Sequence, residues 1–120
     1  MVDAPQTSPF VVTAGERSTF VALSGDFDIL TVRAVTHEVE AFLASAPTDV
    51  VFDMSTLDFI DSSGIALLLK IYTRVVKEGC GSIRVRNASD AARRTFELCG
   101  LTEAFGFDTI RDLESGAPEV

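Results

Sequence analysis

Residues 50–64 read VVFDMSTLDFIDSSG and connect a short apolar run to the most apolar helical pattern of the chain. The run Val50-Val51-Phe52 is β-branched and aromatic without alternation, as expected of a central strand covered on both faces. From Ser63 onward apolar residues recur at helical spacing as far as Gly79, which provides a stop; they are Ile65, Leu68, Leu69, Tyr72 and Val76. The segment predicts a buried strand that leads into a buried helix.

Upstream of this segment, two short apolar runs predict a hairpin. Residues 10–12 and 19–23 read as strands, and a polar turn separates them. After Asp28 the apolar period becomes helical, with Thr31 as the expected N-cap and Pro47 beyond the end. The residues of this single predicted helix that share one face are Val32, Val35, Val39, Phe42 and Leu43.

Downstream, Ser82–Arg86 alternates and predicts a strand with Ile83 and Val85 inward. Ser89 is the expected N-cap of a helix that ends at Gly100, and its apolar face consists of Ala92, Phe96 and Cys99. Residues 101–113 are expected to form a short strand and a turn of helix.

Strands that alternate with helices predict crossover units on a largely parallel sheet. The expected fold class is an α/β sandwich, with a mixed, largely parallel sheet of four or five strands, about four helices and the N-terminal hairpin. We expect one domain over residues 10–114, between a flexible tail at residues 1–9 and a polar tail at residues 115–120.

The composition indicates a globular protein, since 47% of the 120 residues are hydrophobic and 23% are charged. The net charge of −8 argues against binding to nucleic acid or an anionic membrane and favours a protein partner with a basic docking face. No apolar run approaches the ~20 residues that span a bilayer, and the N-terminus lacks the pattern of a signal peptide. These features predict a soluble, cytoplasmic protein.

Metal and enzyme chemistry have little support in the sequence. Cys80, Cys99 and the single His37 form no cluster with metal-ligand spacing, and there is no nucleophile elbow or P-loop. We therefore expect no metal, no cofactor and no catalytic residue. The two cysteines are expected to be small apolar side chains in a reducing compartment, with a redox pair as the alternative. Arg93 and Arg94 are expected to be solvated.

The chemistry-bearing feature is the hydroxyl pair Ser62 and Ser63 at the start of the predicted helix. Backbone N–H groups are free at a helix N-terminus and the helix dipole favours negative charge, so a phosphate would be tolerated there. Asp61 is a capping group, and Gly64 leaves the first turn open to a kinase. The spacing alone favours the plainer alternative that Ser62 and Ser63 only cap the helix.

The segment Asp61-Ser62-Ser63-Gly64-Ile65, preceded by a strand and Leu57, resembles the central signature of the STAS family, and in particular of bacterial anti-sigma factor antagonists. Gly25-Asp26-Phe27-Asp28 upstream, and Cys99-Gly100-Leu101 with Phe105 downstream, match the same family in order. The resemblance covers about residues 10–114. Ile65 stands where the family often has Leu.

The resemblance implies a phosphorylation switch at Ser62, with Ser63 as the backup acceptor. In the family an anti-sigma factor with serine kinase activity binds the unphosphorylated antagonist and releases the sigma factor. Phosphorylation ends that binding until a serine phosphatase restores it. ATP and magnesium would lie on the kinase, so this chain needs no cofactor. The implied partner-binding residues are Asp26, Asp28, Asp61, Ser62, Ser63 and Gly64.

A second hypothesis keeps the family but removes the switch. The chain would then be a constitutive STAS interaction module in a lipid-transport or stress-sensing complex, and its hydroxyl pair would never be phosphorylated. Only the first hypothesis needs a partner kinase, so the identity of the partner separates the two.

Overall fold

A computed structural model describes residues 8–106 of the chain, and a mixed four-stranded sheet organises them. In chain order the elements are β1 Phe10–Ala14, β2 Thr19–Phe27, α1 Ile29–Ala34, α2 Thr36–Ala44, β3 Asp49–Ile60, α3 Ser62–Tyr72, a π-helical turn Thr73–Lys77, β4 Ser82–Arg86 and α4 Asp90–Leu98. The predicted α/β class, the N-terminal hairpin and the numbers of strands and helices are confirmed. The predicted bounds of the tails stay predictions.

The strands lie side by side in chain order, β1-β2-β3-β4. Strands β1 and β2 are antiparallel, whereas β2, β3 and β4 run parallel. The β2–β3 ladder shifts register between Gly25 and Asp26, where Gly25 adopts a positive φ of 75°. After this irregularity Asp26 pairs with Phe59 and Phe27 pairs with Ile60, so both strands end at the same edge of the sheet.

A single hydrophobic core unites the helices with one face of the sheet. Every buried apolar helix side chain of residues 8–106 belongs to this cluster, together with alternate residues of the strands. Aromatic pairs extend it toward the C-terminal side, where the rings of Phe96 and Phe105 lie 5.3 Å apart and those of Tyr72 and Phe105 lie 5.5 Å apart. The largest fully buried side chains are Phe10, Phe27, Phe52, Phe96 and Phe105.

The apolar run in β3 is buried, as predicted, but its two faces are covered differently. Val50 and Phe52 belong to the core cluster, whereas Val51 is buried outside it. Val51 pairs in register with Phe20 on β2 and Arg84 on β4, so strand neighbours flank it on the second face. Phe20 remains 36% exposed on this face.

The first predicted helix is in fact two helices. The chain leaves helical geometry at Val35, with φ −100° and ψ 13°, and α2 begins at Thr36. The Thr36 hydroxyl donates to the carbonyl oxygens of Val32 and Arg33, and such back-bonding competes with the regular helix. The predicted cap Thr31 is also wrong, because its own N–H donates to Oδ1 of Asp28, the true N-cap, at 3.0 Å.

Two smaller expectations about the later helices are wrong. Leu69 was expected on the apolar face of α3 but is 36% exposed, while Leu67 and Ile71 are buried. Cys99 was expected on the apolar face of α4 but is exposed at its C-cap. Residues 101–106 form turns, and the rest of the segment 101–113, for which a short strand and a turn of helix are expected, lies outside the described residues.

Strand β4 and the start of α4 agree with the predictions. Ile83 and Val85 are buried, and the Ser89 hydroxyl accepts from the N–H of Ala92 at 3.1 Å. Gly100 follows α4 with a positive φ of 71°. Within residues 8–106 no helix combines the length and the hydropathy that crossing a membrane requires.

Candidate functional site

The carboxyl ends of β2 and β3 each lead directly into a helix whose N-cap is an aspartate. Asp28 follows Phe27 and caps α1, and Asp61 follows Ile60 and caps α3. Because Phe27 and Ile60 pair in the parallel ladder, the two capped termini lie side by side. The N–H of Asp61 also donates to the carbonyl oxygen of Phe27 at 3.2 Å. The topology thus brings the two segments to one edge of the sheet. We call this the Ser62 edge, and its residues are Asp26, Asp28, Asp58, Asp61, Ser62, Ser63 and Gly64.

Asp61 occupies the amides at the start of α3. Its Oδ1 accepts from the N–H of Ser63 at 2.8 Å and from the N–H of Gly64 at 3.2 Å. These two amides are therefore not free as expected, while the tolerance of this terminus for a phosphate stays a prediction.

Ser62 is the first residue of α3 and is exposed. Its hydroxyl makes no hydrogen bond with any of residues 8–106, while Ser63 is half-buried and likewise contributes no side-chain hydrogen bond there. The alternative that the two serines only cap the helix is wrong, because Asp61 does the capping. The hydroxyl of Ser62 is left accessible and uncommitted, as a phosphoacceptor requires.

Gly64 has a structural role that the sequence did not reveal. A Cβ at this position would lie 2.6 Å from Cγ1 of Ile60 and 2.7 Å from the carbonyl oxygen of Phe27. Gly64 is buried, and its predicted role of opening the first turn to a kinase stays a prediction. Because Gly64 has no side chain, α3 can approach the ends of β2 and β3 closely, and this close packing fixes the position of Ser62.

The two upstream aspartates have different environments. Asp28 is half-buried and its side chain is used as a cap, whereas Asp26 is exposed at the end of β2 beside Phe59. Asp58 is exposed as well. None of the carboxylates Asp26, Asp28, Asp58 and Asp61 forms a salt bridge within residues 8–106, where the ion pairs are Lys70–Glu40 and Arg74–Glu78. The Ser62 edge therefore carries negative charge that no ion pair neutralises.

An apolar groove beside Ser62 was missed by the sequence analysis. It has a volume of about 370 Å³ and lies between α3 and the pair α1 and α2. Its apolar lining includes Ile29, Val32 and Val39 on one side and Ala66 and Leu67 on the other. The sequence signal was the pair Ile29 and Leu30 directly after Asp28, because these apolar residues do not lie on the apolar face predicted for the first helix. In the structure their side chains are 46% and 71% exposed.

One carboxyl group away from this edge has a perturbed pKa. Partial burial of Asp53 raises the pKa, but hydrogen bonds from the Ser55 N–H and the Asn87 side chain, with the positive charge of Arg86, lower it below its ordinary value. Asp53 pairs in register with Arg86 between β3 and β4. This interaction network supports the sheet and contacts none of the Ser62 edge.

The remaining candidate groups are dispersed. Cys80 and Cys99 are free and exposed, and the expectation of a reducing compartment stays a prediction. His37 is exposed on α2, Arg94 is exposed on α4, and Arg93 is half-buried rather than solvated. Within residues 8–106 no group of three His, Cys, Asp or Glu side chains is arranged to hold a metal ion.

Comparison with known families gives a match to the family described as Mlab, STAS domain, over residues 10–111. The chain belongs to the STAS family. The predicted resemblance is thereby confirmed, and the match spans all the elements that build the Ser62 edge and the groove.

Similar members of the STAS family are anti-sigma factor antagonists. The anti-sigma-F factor antagonist RsfB of Mycobacterium tuberculosis is 24% identical over 96% of this chain and 93% of its own length. A crystal structure of an anti-sigma factor antagonist from Mycobacterium paratuberculosis is 28% identical, with a TM-score of 0.73 over 98% of this chain and 100% of that one. The Bacillus cell fate determinant SpoIIAA, in its phosphorylated form, is 22% identical, with a TM-score of 0.64 over 90% of this chain and 98% of that one, which shows a shared fold.

Proposed function

We propose that this STAS protein is a cytoplasmic anti-sigma factor antagonist whose binding to a serine-kinase anti-sigma factor is ended by phosphorylation of Ser62. The observation that carries the proposal is the exposed Ser62 hydroxyl, which has no hydrogen bond within residues 8–106 and stands beside the Asp61 cap. The descriptions of the similar proteins supply the class of partner. Ser63 is the backup acceptor, although its half-buried position makes it less accessible.

The direction of the switch follows from charge. A phosphoserine adds roughly −1.5 to −2 charges near neutral pH, and the edge already holds the unpaired carboxylates of Asp26, Asp28, Asp58 and Asp61. A serine kinase also brings the terminal phosphate of ATP to the hydroxyl that it modifies. A phosphoryl group on Ser62 would face those nucleotide phosphates in the complex, and burying it there without a matching cation is unfavourable.

The fold would tolerate the modification. Ser62 is at the surface, so the added group enters no packed region. Asp61 can keep its bonds to the amides of Ser63 and Gly64 while the phosphoryl group points to solvent. The switch would then act on the partner-binding surface rather than by unfolding α3.

In this account the chain is a binding protein and not an enzyme. ATP and magnesium belong to the kinase, and a serine phosphatase removes the phosphate to restore binding. The partner-binding residues all belong to the Ser62 edge, and they are Asp26, Asp28, Asp61, Ser62, Ser63 and Gly64. Asp61 and Gly64 act by holding the serine in place, through capping and close packing respectively.

A binding measurement with a charge-matched control tests the proposal. Purified serine-kinase anti-sigma factors from the same genome, each loaded with ADP, are titrated with wild-type protein, Ser62→Asp and Ala91→Asp. Ala91 is exposed near the start of α4 and receives the same charge away from the edge. We expect wild type and Ala91→Asp to bind one kinase equally, and Ser62→Asp to bind at least about 10-fold more weakly, a loss of about 1.4 kcal/mol. Equal binding of all three proteins would contradict the switch.

The constitutive STAS module is a second candidate because the matching family description names Mlab. It predicts a stable partner that is not a kinase, and no phosphate on the protein under any condition. Purification of the protein from its own cells, followed by intact mass measurement and identification of the partner, separates the two functions.

A further inference from the structure

The groove beside Ser62 has the length and lining of a receptor for a helix. It follows α3 from Ser63, next to the phosphoacceptor, to Lys70, where the Lys70–Glu40 ion pair of 3.1 Å lies at its end. Seven residues of helix span about 10 Å, or two turns. An amphipathic helix presents side chains at positions i, i+3 or i+4, and i+7 over the same distance.

The lining of the groove is apolar but accessible. Ile29 is 46% exposed, and the adjacent Leu30, at 71% exposed, continues the apolar surface outside it. Ala66 is exposed on the α3 side and leaves room for an incoming side chain. Leu98 is the other strongly exposed leucine of the described chain, at 82%, but it lies near the end of α4 and lines no part of the groove.

The charges around the groove differ between its two ends. At the far end Lys70 and Glu40 neutralise each other. At the near end the lining residues Ile29 and Ser63 closely follow Asp28 and Asp61 in the chain, and neither carboxylate forms an ion pair within residues 8–106. Carboxylates without an ion-pair partner therefore lie next to one end of the groove, and complementary charges suit specific association.

We propose that the groove binds an amphipathic helix of the partner, with apolar side chains directed between α1 and α3 and Lys or Arg at the end next to Ser62. The inference rests on the proposed function, since the partner is the serine-kinase anti-sigma factor. It adds a second contact surface, in which the groove supplies affinity and the acidic edge sets the orientation of the helix. A phosphoryl group on Ser62 stands at the mouth of this groove, because the next residue, Ser63, lines it.

Matched substitutions test the apolar part. Ala66→Gln places a polar side chain in the groove, and Ala91→Gln makes the same change at an exposed position of α4. The probe is the ADP-loaded kinase that binds the wild-type protein. We expect Ala66→Gln to weaken binding by at least about 10-fold, as for a central apolar contact, and Ala91→Gln to leave it within about 2-fold.

A second pair tests the charge. Asp28→Asn keeps an N-cap side chain but removes the charge, and Asp90→Asn removes a carboxylate from the first turn of α4. We expect Asp28→Asn alone to weaken binding and to reduce its salt dependence. A photo-crosslinking residue at position 30, beside the groove but outside its lining, should join the protein to one helix of the kinase that has basic residues at one end.

The outcomes separate the two claims. If Ala66→Gln binds like Ala91→Gln, or if crosslinks from position 30 fall on a non-helical segment, the groove inference is wrong while the switch at Ser62 stands. If Asp28→Asn leaves affinity and salt dependence unchanged, the basic end of the partner helix is wrong. If wild type binds no serine-kinase anti-sigma factor, the proposed function fails and the inference fails with it.

Discussion

Helices α3 and α4 begin with the same two residue types in opposite order. In α4 the hydroxyl of Ser89 is the cap and Asp90 follows it; in α3 the carboxylate of Asp61 is the cap and Ser62 follows it. The Ser89 oxygen is engaged by the N–H of Ala92, whereas the Ser62 hydroxyl has no such partner within residues 8–106. The order of the two residues therefore decides whether the serine caps the helix, as Ser89 does, or has a hydroxyl that is available for modification, as Ser62 does.

The third helical position differs as well. Gly64 in α3 corresponds to Ala92 in α4, counting from each cap. Ala92 is buried with its methyl group in the core, while a methyl group on Gly64 would collide with Ile60 and Phe27. The start of α3 is thus pressed against the sheet edge more closely than the start of α4. Ser62 thus has an exposed hydroxyl without a hydrogen bond in residues 8–106 and a closely packed backbone beside it, and this combination suits recognition by a partner.

The largest expected effect on stability is that of Gly64→Ala. The new Cβ meets a backbone oxygen at 2.7 Å, which cannot rotate away, so crowding should cost about 3 kcal/mol, the upper end of the usual range. Higher helix propensity returns up to about 1 kcal/mol. We expect a net loss in the free energy of unfolding, measured by chemical denaturation. In the matched variant Ala92→Gly the loss should be at least about 1 kcal/mol from helix propensity alone. An unchanged midpoint for Gly64→Ala would show that the strand ends do not hold α3 closely.

The next effect concerns the Asp61 cap. Asp61→Ala should lower the free energy of unfolding by about 0.5–2 kcal/mol, because the amides of Ser63 and Gly64 lose their acceptor. Asp61→Asn keeps a capping oxygen and should lose much less. Amide hydrogen exchange at Ser63 and Gly64 provides a local reading, with faster exchange expected in Asp61→Ala alone. Equal stability of wild type and Asp61→Ala would mean that another group caps α3.

The smallest effect is the most specific test of the two serines. Ser62→Ala should change the free energy of unfolding by less than about 0.5 kcal/mol, since an exposed side chain without hydrogen bonds contributes little. Ser89→Ala should cost about 1 kcal/mol because it removes a cap. Thermal or denaturant unfolding of both variants compares them directly. The reverse order of losses would contradict the assignment of a structural role to Ser89 and a free hydroxyl to Ser62.

The sequence predicted most of the fold because its apolar periods are regular. The alternation in β4, the run in β3 and the helical spacing after Ser63 reflect which side chains are buried, and burial dominates the choice of element. The break at Val35 was missed because it depends on hydrogen bonds of the Thr36 hydroxyl that compete within an otherwise continuous pattern. Thr31 is a suitable N-cap by residue type, but Asp28, three residues earlier, accepts from its N–H and caps the helix instead.

At the site, the motif predicted where Ser62 lies but not how it is held. The roles of Asp61 and Gly64 depend on the close approach of α3 to the paired ends of β2 and β3, which no local pattern encodes. The groove likewise exists only when α1, α2 and α3 pack together. The different roles of Asp61, Ser62 and Gly64 therefore follow from the packing of α3 on the sheet and not from the motif.

The most direct test of the account is site-specific phosphorylation. Wild type, Ser62→Ala and Ser89→Ala are incubated with ATP, magnesium and the serine-kinase anti-sigma factor that binds the wild-type protein, and phosphate is measured by intact mass and peptide mapping. The account predicts one phosphate on Ser62 in wild type and Ser89→Ala, and none in Ser62→Ala. A phosphate that persists in Ser62→Ala, or that maps to Ser89, would contradict the switch at Ser62.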